Sequence, residues 1–256
     1  MLIEEFRILS QHKKQFIKDL KKAKVPGPFR GRPVISSSLS DDEAKQMAAA
    51  CPSEAISVEP FTIDLGKCVF CNACHFMVPG KIEFTADYRI AANNRQSLII
   101  KAGEDAPVRL DPSVISPETR RLFKKALKLR QVSAGGDSST EMELNAAGNV
   151  NFDMGRYGIE FVASPRHADG MVITGPITTN MAKAVELTWE AIPEPRLLIL
   201  AGTDAISGGI FSGSPAVDRS FLKNRKVDLY VPGNPAHPLT FIHGILELIG
   251  RWKVDR

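Results

Sequence analysis

The sequence predicts a small α+β domain followed by an α/β domain built on a mainly parallel sheet, and three observations carry that prediction. From Arg130 onward, short apolar runs alternate with helical stretches: strands are expected near 127–133, 158–163, 170–175, 196–202 and 227–231, and helices near 138–147, 179–191 and 238–251. Continuous apolar strands alternating with helices argue for a parallel sheet covered on both faces. Second, glycines gather where those strands should end, at Gly135-Gly136, Gly175, Gly202 with Gly208-Gly209, and Gly233. In such sheets the functional crevice lies at the carboxyl ends of the strands, so these loops should converge on one site. Third, residues 30–100 have a different texture, polar and mixed, and read as a separate small α+β unit. With 256 residues, 43% of them hydrophobic, the chain is long enough for two modest cores. The boundaries expected are 1–28, 29–112 and 113–256.

Taken in order, Leu2, Phe6, Leu9, Phe16, Ile17 and Leu20 fall at helical spacing among lysines, and Val25-Pro26-Gly27-Pro28 ends the pattern. Segment 1–28 thus reads as a basic amphipathic helix, expected to pack on its own domain, with a membrane surface or a partner as alternatives. Ser40 with Glu43 makes a capping box, so a helix should start at Asp41 and run toward Cys51-Pro52. A strand Ile56 to Val58 follows, and Phe61 to Leu65 leads into a cysteine cluster. No apolar run approaches the roughly 20 residues a bilayer span requires, and the N-terminus has no signal-peptide pattern. A cytoplasmic protein with free thiols is therefore expected, in solution or on the cytoplasmic face of the membrane.

Net charge is +4, but residues 1–32 carry nine Lys/Arg against three acids and residues 117–131 carry six against one. Positive charge confined to two short segments favours local docking, or simply solvated helix faces, over nucleic-acid binding, which spreads basic charge with interleaved aromatics.

Cys68, Cys71 and Cys74 stand at successive x2 spacings, and the fourth cysteine, Cys51, precedes a proline. Two-cluster ferredoxins repeat C-x2-C-x2-C-x3-C-P, and the last cysteine of each run serves the other cluster. Counting back from Cys51 gives Asp41, Ala44 and Met47; counting forward from Cys74 gives Val78, then Pro79. Those four non-cysteine positions form the complete ligand set of one cluster, and the four cysteines form that of the other. The spacing points to one [4Fe–4S] cluster on Cys51, Cys68, Cys71 and Cys74, with Met47 and Val78 as apolar filling for the other pocket. A zinc site would prefer paired C-x2-C knuckles or histidines at metal spacing, and disulfides are disfavoured in this compartment. His75 is expected beside the cluster rather than on it.

Residues 29–90, through Phe29-Arg30-Gly31-Arg32-Pro33, Cys51-Pro52-Ser53-Glu54-Ala55-Ile56 and the run from Cys68 to Cys74, resemble the polyferredoxin subunits of formate hydrogenlyase and complex I. Residues 127–250 resemble the 20 kDa, or PSST-type, subunit of NADH:ubiquinone oxidoreductase and the small subunit of energy-converting [NiFe] hydrogenases. The matching segments are Ser164-Pro165-Arg166-His167-Ala168-Asp169, Thr174-Gly175-Pro176-Ile177-Thr178, Pro193-Glu194-Pro195-Arg196, Gly202-Thr203-Asp204 and Val231-Pro232-Gly233-Asn234-Pro235. The resemblance implies a ferredoxin-like α+β domain fused to a flavodoxin-like α/β domain of the complex I small-subunit type. In that family a cluster is held by the patterns S-C-x2-C-[DE]-x-E, G-[ST]-C and V-P-G-C-P. Here the cysteine positions read Asp137, Thr140, Asp204 and Asn234, so the second domain is expected to be clusterless. Its oxygen-bearing residues would either hold a hard cation or act as polar fillers bonded to one another and to loop amides. Arg166 and His167 match residues expected near the family's cluster, with Arg166 pairing with Asp137 or Asp204 as the alternative role.

The functional expectation is an electron-transfer subunit, without catalysis of its own, of a complex I-like or hydrogenase-like oxidoreductase. Its second domain would dock a hydrogenase-large-subunit-like or complex I 49-kDa-like protein, and any membrane contact would run through the complex. The alternatives are a structural or assembly adaptor whose cluster only stabilises the fold, or an enzyme using the oxygen-lined crevice, where no nucleophile with an adjacent base is evident.

Overall fold

A computed structural model describes residues 2–12, 15–25 and 27–252 of the chain. Helix α1 (Leu2–His12) opens it with Ile3, Phe6, Ile8 and Leu9 in solvent: Ile3 is 85% exposed, and Phe6 and Leu9 are each 69% exposed. This corrects the expectation that the helix packs on its own domain. Nor does the helix run to residue 24. Lys13, Lys14 and Pro26 lie outside the described residues, and residues 15–25 hold only a 3-10 turn at Leu20–Lys22. Tertiary ties override the helical periodicity there. The Ile17 amide donates to the Asn151 carbonyl (2.9 Å), Arg156 Nη2 donates to the Ile17 carbonyl (2.6 Å), and the Tyr88 hydroxyl donates to the Leu20 carbonyl (2.5 Å). The Leu20 side chain is buried with them.

The α+β unit follows. β1 (Pro33–Ile35) leads to α2 (Asp41–Ala50), which starts where the capping box places it: Ser40 accepts from the Glu43 amide, and Glu43 accepts from the Ser40 amide at 2.8 Å. Next come β2 (Ile56–Val58), β3 (Phe61–Asp64), α3 (Ala73–Met77), β4 (Ile82–Phe84) and β5 (Ile99–Lys101). β2, β3 and β5 form an antiparallel sheet, and β1 pairs antiparallel with β4. α4 (Pro117–Phe123), capped by Ser116 with Pro117 at its start, delivers the chain to the second sheet.

That sheet is built from β6 (Leu127–Ser133), β7 (Ile159–Phe161), β8 (Gly170–Thr174), β9 (Leu197–Ala201) and β10 (Leu229–Val231), with α5 (Ser139–Ala147), α6 (Thr179–Ala191), α7 (Thr203–Ser207) and α8 (Pro238–Leu248) between and after them. The strands are all parallel, in the order β7-β6-β8-β9-β10. Numbered within the sheet this is 2-1-3-4-5, the flavodoxin-like doubly wound order, and its switch point lies between β6 and β8. β8 and β9 are buried at every residue, as a sheet covered on both faces demands.

The alternation of side chains splits the core in two. Val172, Leu197 and Ile199 share one apolar cluster with Leu144 of α5 and Phe241, Ile242 and Ile245 of α8. Met171, Ile173, Leu198 and Leu200 share the other with Val185 of α6 and with Met47, Ile63, Leu65 and Phe70 of the α+β unit. Each cluster therefore spans both units. An isolated antiparallel bridge adds to the joint: the Ala92 amide donates to the Tyr230 carbonyl (3.0 Å) and the Tyr230 amide to the Ala92 carbonyl (2.7 Å), beside β10.

Candidate functional site

Cys51 is the C-cap of α2, so the capping box at the other end of that helix fixes where its thiol emerges. Cys68 ends a tight turn after β3, in which its own amide donates to the Asp64 carbonyl (2.8 Å) and the Gly66 amide to Asp64 Oδ1 (2.8 Å). Phe70 and Asn72 then take positive φ, at 52° and 68°, and α3 starts immediately after with Cys74 in its first turn. The outcome is that Cys51, Cys68, Cys71 and Cys74 all line one cavity, walled by Pro52, Ile56, Ile63 and Phe84. None of the four is in a disulfide. Two backbone donors already point at sulfur: the Ala55 amide at Cys51 Sγ (3.2 Å) and the Phe70 amide at Cys68 Sγ (3.3 Å).

Burial pushes the Cys68 thiol up to about 12 and the Cys74 thiol to about 11, and in each case the neighbouring cysteines push the same way. Cys68 and Cys74 are thus thiols whose ionisation needs compensating positive charge, such as a metal centre supplies. Cys68 is buried and Cys71 exposed, so the cavity approaches the surface at Cys71. Of the four positions that the ferredoxin spacing pairs with them, Ala44 and Met47 are buried in the same apolar cluster as Cys68, Val78 packs against it, and Asp41 is exposed in the first turn of α2. His75 holds its Nδ1 2.8 Å from the Ile82 carbonyl.

The second constellation lies at the carboxyl ends of the parallel strands, where the glycine loops meet. The Thr178 amide donates to the Ala134 carbonyl (3.0 Å), the Gly202 amide to the Val231 carbonyl (2.9 Å), and the Thr203 amide to the Gly233 carbonyl (2.8 Å). Two glycines make the approach possible. Gly202 has φ 91°, and a Cβ there would stand 2.7 Å from Thr140 Oγ1; Gly233 has φ 139°, and its Cβ would meet the Pro235 carbonyl oxygen at 2.6 Å.

Asp137 is exposed and held in its charged form by the Ser139 hydroxyl and amide, which keep its carboxyl below the usual value. Asp204 is half-buried, and burial raises its carboxyl, helped by the charges of Asp137 and Glu141. Glu141 accepts from the Thr174 hydroxyl at 2.6 Å. Thr140 is buried beside Gly202, while Asn234 lines a separate cavity with Phe29, Arg30, Phe70, Glu143 and His237. Among the described residues no hydrogen bond joins any two of Asp137, Thr140, Asp204 and Asn234, and no three His, Cys, Asp or Glu side chains converge on a single-ion site.

Arg166 and His167 are not in this crevice. They occupy the exposed turn Pro165–His167, which leads directly to Asp169, and the Asp169 carboxylate accepts from the Lys128 amide (2.7 Å) at the start of β6. Since Gly170 pairs with Leu129, that turn lies toward the amino ends of the strands. The expected position beside a carboxyl-end site, and the pairing of Arg166 with Asp137 or Asp204, are both corrected.

The two constellations touch. The Thr203 hydroxyl donates to the Cys68 carbonyl at 2.8 Å, with the Gly233 carbonyl a second acceptor at 3.2 Å. Phe70, between Cys68 and Cys71, lines the same cavity as Gly233, Asn234 and Pro235. Behind them Arg219, driven down to about 10 mainly by burial, donates to the carbonyls of Pro176, Asp204, Ala205 and Ile206, and Arg95 forks onto Asp64 at 2.7 and 2.5 Å. Arg219 carries no signal in the sequence, because a guanidinium that serves backbone carbonyls leaves no spacing pattern. Thr203 and Phe70 fall inside segments that carry the family resemblance, but nothing in those segments marks their contacts. Glu141 and Glu143 were missed, although they sit at the [DE]-x-E positions after Thr140 that could have pointed to them.

Among the described residues no helix is long and apolar enough to cross a membrane. A family model described as NADH ubiquinone oxidoreductase, 20 Kd subunit, matches residues 138–248. The probable membrane-bound hydrogenase subunit mbhJ of Pyrococcus furiosus is 34% identical over 115 residues, 45% of this chain and 69% of that protein. Formate hydrogenlyase subunit 7 of Escherichia coli is 33% identical over 150 residues, 58% of this chain and 59% of that one. An NADH-quinone oxidoreductase subunit from Clostridium beijerinckii is 44% identical over 112 residues, 42% and 64% of the two chains. A chain in the structure of the membrane-bound sulfane sulfur reductase, an archaeal respiratory membrane complex, is 27% identical with a TM-score of 0.46, over 53% of this chain and 75% of that one. With the flavodoxin-like order of its sheet and these relatives, the chain belongs, through its second unit, to the family of the 20 kDa subunit of NADH ubiquinone oxidoreductase.

Proposed function

We propose that this chain is an electron-transfer subunit of a complex I-like or energy-converting-hydrogenase-like assembly, carrying one [4Fe–4S] cluster on Cys51, Cys68, Cys71 and Cys74. The observation that carries the reading is that four cysteines from two separated segments line one cavity. The donor set fits a cubane: four thiols without disulfide partners, apolar walls, and two amide N–H groups already aimed at sulfur. When bound, the cluster supplies a one-electron carrier. The protein's own residues fix the four sulfurs, exclude water through Ile56, Ile63 and Phe84, and leave Cys71 nearest the surface for electron entry or exit.

The second unit, on this reading, holds no cluster and serves as a docking face for a partner like the hydrogenase large subunit or the complex I 49 kDa subunit, with the membrane met through the complex. Support comes from the relatives, named as subunits of hydrogenases and quinone oxidoreductases, and from the absence of cysteine at Asp137, Thr140, Asp204 and Asn234. Purified without oxygen, the full chain should contain about four irons and as many sulfides, unchanged by combined Asp137→Asn and Asp204→Asn substitution. Eight irons, stoichiometric zinc, or iron loss in the double variant would each overturn the corresponding part.

A further inference from the structure

We propose that the cysteine-bearing loop is seated in the carboxyl-end crevice of the parallel sheet, and that the Thr203 hydroxyl positions and tunes the group the four thiols hold. The inference rests on the cluster reading and adds to it a residue from the other unit of the chain. Thr203 sits at the first position of α7, directly after β9, and is 1% exposed. Its hydroxyl proton goes to the nearer acceptor, the Cys68 carbonyl at 2.8 Å rather than Gly233 at 3.2 Å. That carbonyl belongs to the most deeply buried of the four cysteines, so water cannot replace the bond.

Two further contacts show that the loop is seated and not merely adjacent. Phe70, 6% exposed, fills space beside Gly233, Asn234 and Pro235. At Gly66 a Cβ would come within 2.8 Å of both the Arg95 guanidinium and the Ile206 side chain of α7, so the missing side chain lets the loop lie close against both. The loop that carries three cysteines is thus clamped from above by α7 and the β10 loop. A doubly wound sheet normally offers this crevice to a ligand; here the chain's own sulfur-bearing loop occupies it.

The electrostatic consequence has a sign. Taking up one electron adds one negative charge at the sulfur cavity, with no bond made or broken. An O–H donated to the Cys68 carbonyl draws electron density from that peptide and offsets the negative end of its dipole beside the buried sulfur, which favours the reduced state. Removing it also leaves a buried carbonyl oxygen unpaired on the same side, which acts in the same direction.

The test is redox titration with dithionite of the anaerobically purified full chain and of Thr203→Val, Thr203→Ala and Thr203→Ser, read by visible absorption and electron paramagnetic resonance. Thr203→Val and Thr203→Ala should shift the midpoint potential to more negative values, and Thr203→Ser should restore it. Iron loss confined to the Val and Ala variants, with the circular dichroism of the wild type and full iron in Ser, also supports the positioning role. A wild-type potential and spectrum in both the Val and Ala variants overturns the inference, as does an equal shift in the Ser variant. Wild-type protein without iron defeats the cluster reading instead, so the two failures are told apart.

Discussion

Asp204 shows how a single side chain reports the chemistry of the crevice. Burial, then the charges of Asp137 and Glu141, raise its carboxyl above the ordinary value. A carboxyl that holds its proton more tightly in the fold than in the unfolded chain favours the fold below its unfolded pKa, and that contribution is lost as pH rises through the folded value. At pH 7 Asp204 therefore costs stability. Asp204→Asn is expected to raise the thermal midpoint at pH 7, and the gain should shrink as pH falls through the folded value and below the ordinary Asp value of about 3.9, where the carboxyl is protonated in both states; a midpoint lowered at pH 7 would contradict the desolvation reading. The four cysteines stood out at this scale because three share successive x2 spacings and the fourth precedes a proline, and the fold brings all four to one cavity. The contact of Thr203 with Cys68, and Arg219 altogether, did not, because their partners are carbonyls of other loops, which only the folded chain brings near.

Among the elements, those that sequence marks with a physical signal stand where the signal puts them. α2 starts at its capping box and α6 occupies 179–191 as read, while the fully buried strands β8 and β9 follow short apolar runs. β1, β4 and β5, three residues each, and the five-residue α3 and α7 carry too few residues for a period to show, and tertiary contacts form them. α1 failed in the opposite way. Its amphipathic period is real, yet Ile3, Phe6, Ile8 and Leu9 meet solvent because the following residues are tied to Asn151, Arg156 and Tyr88. The capping box matters beyond local stability, since Cys51 closes the other end of the same helix. Ser40→Ala should cost about 1 kcal/mol, lowering the midpoint by roughly 2–4 °C for a chain of this size, and should speed iron loss to a chelator. An unchanged midpoint would show that packing of Met47 and Ala44 alone holds α2.

For the whole molecule, two units with different sheets share both of their apolar clusters, and the backbone of the cysteine-bearing loop meets the second unit where the Thr203 hydroxyl donates to the Cys68 carbonyl. The chain is therefore expected to bind its partner as one body. Native copurification of the full chain should recover a hydrogenase-large-subunit-like or complex I 49-kDa-like protein; recovery of neither would leave the second unit without its proposed role. The central claim is that Cys51, seventeen residues before Cys68, completes one ligand set with the other three. Iron content of anaerobically purified Cys51→Ser, compared with Cys71→Ser and the wild type, tests this most directly. Both variants should lose the cluster to a similar degree; a full complement of four irons in Cys51→Ser beside a depleted Cys71→Ser would contradict the claim.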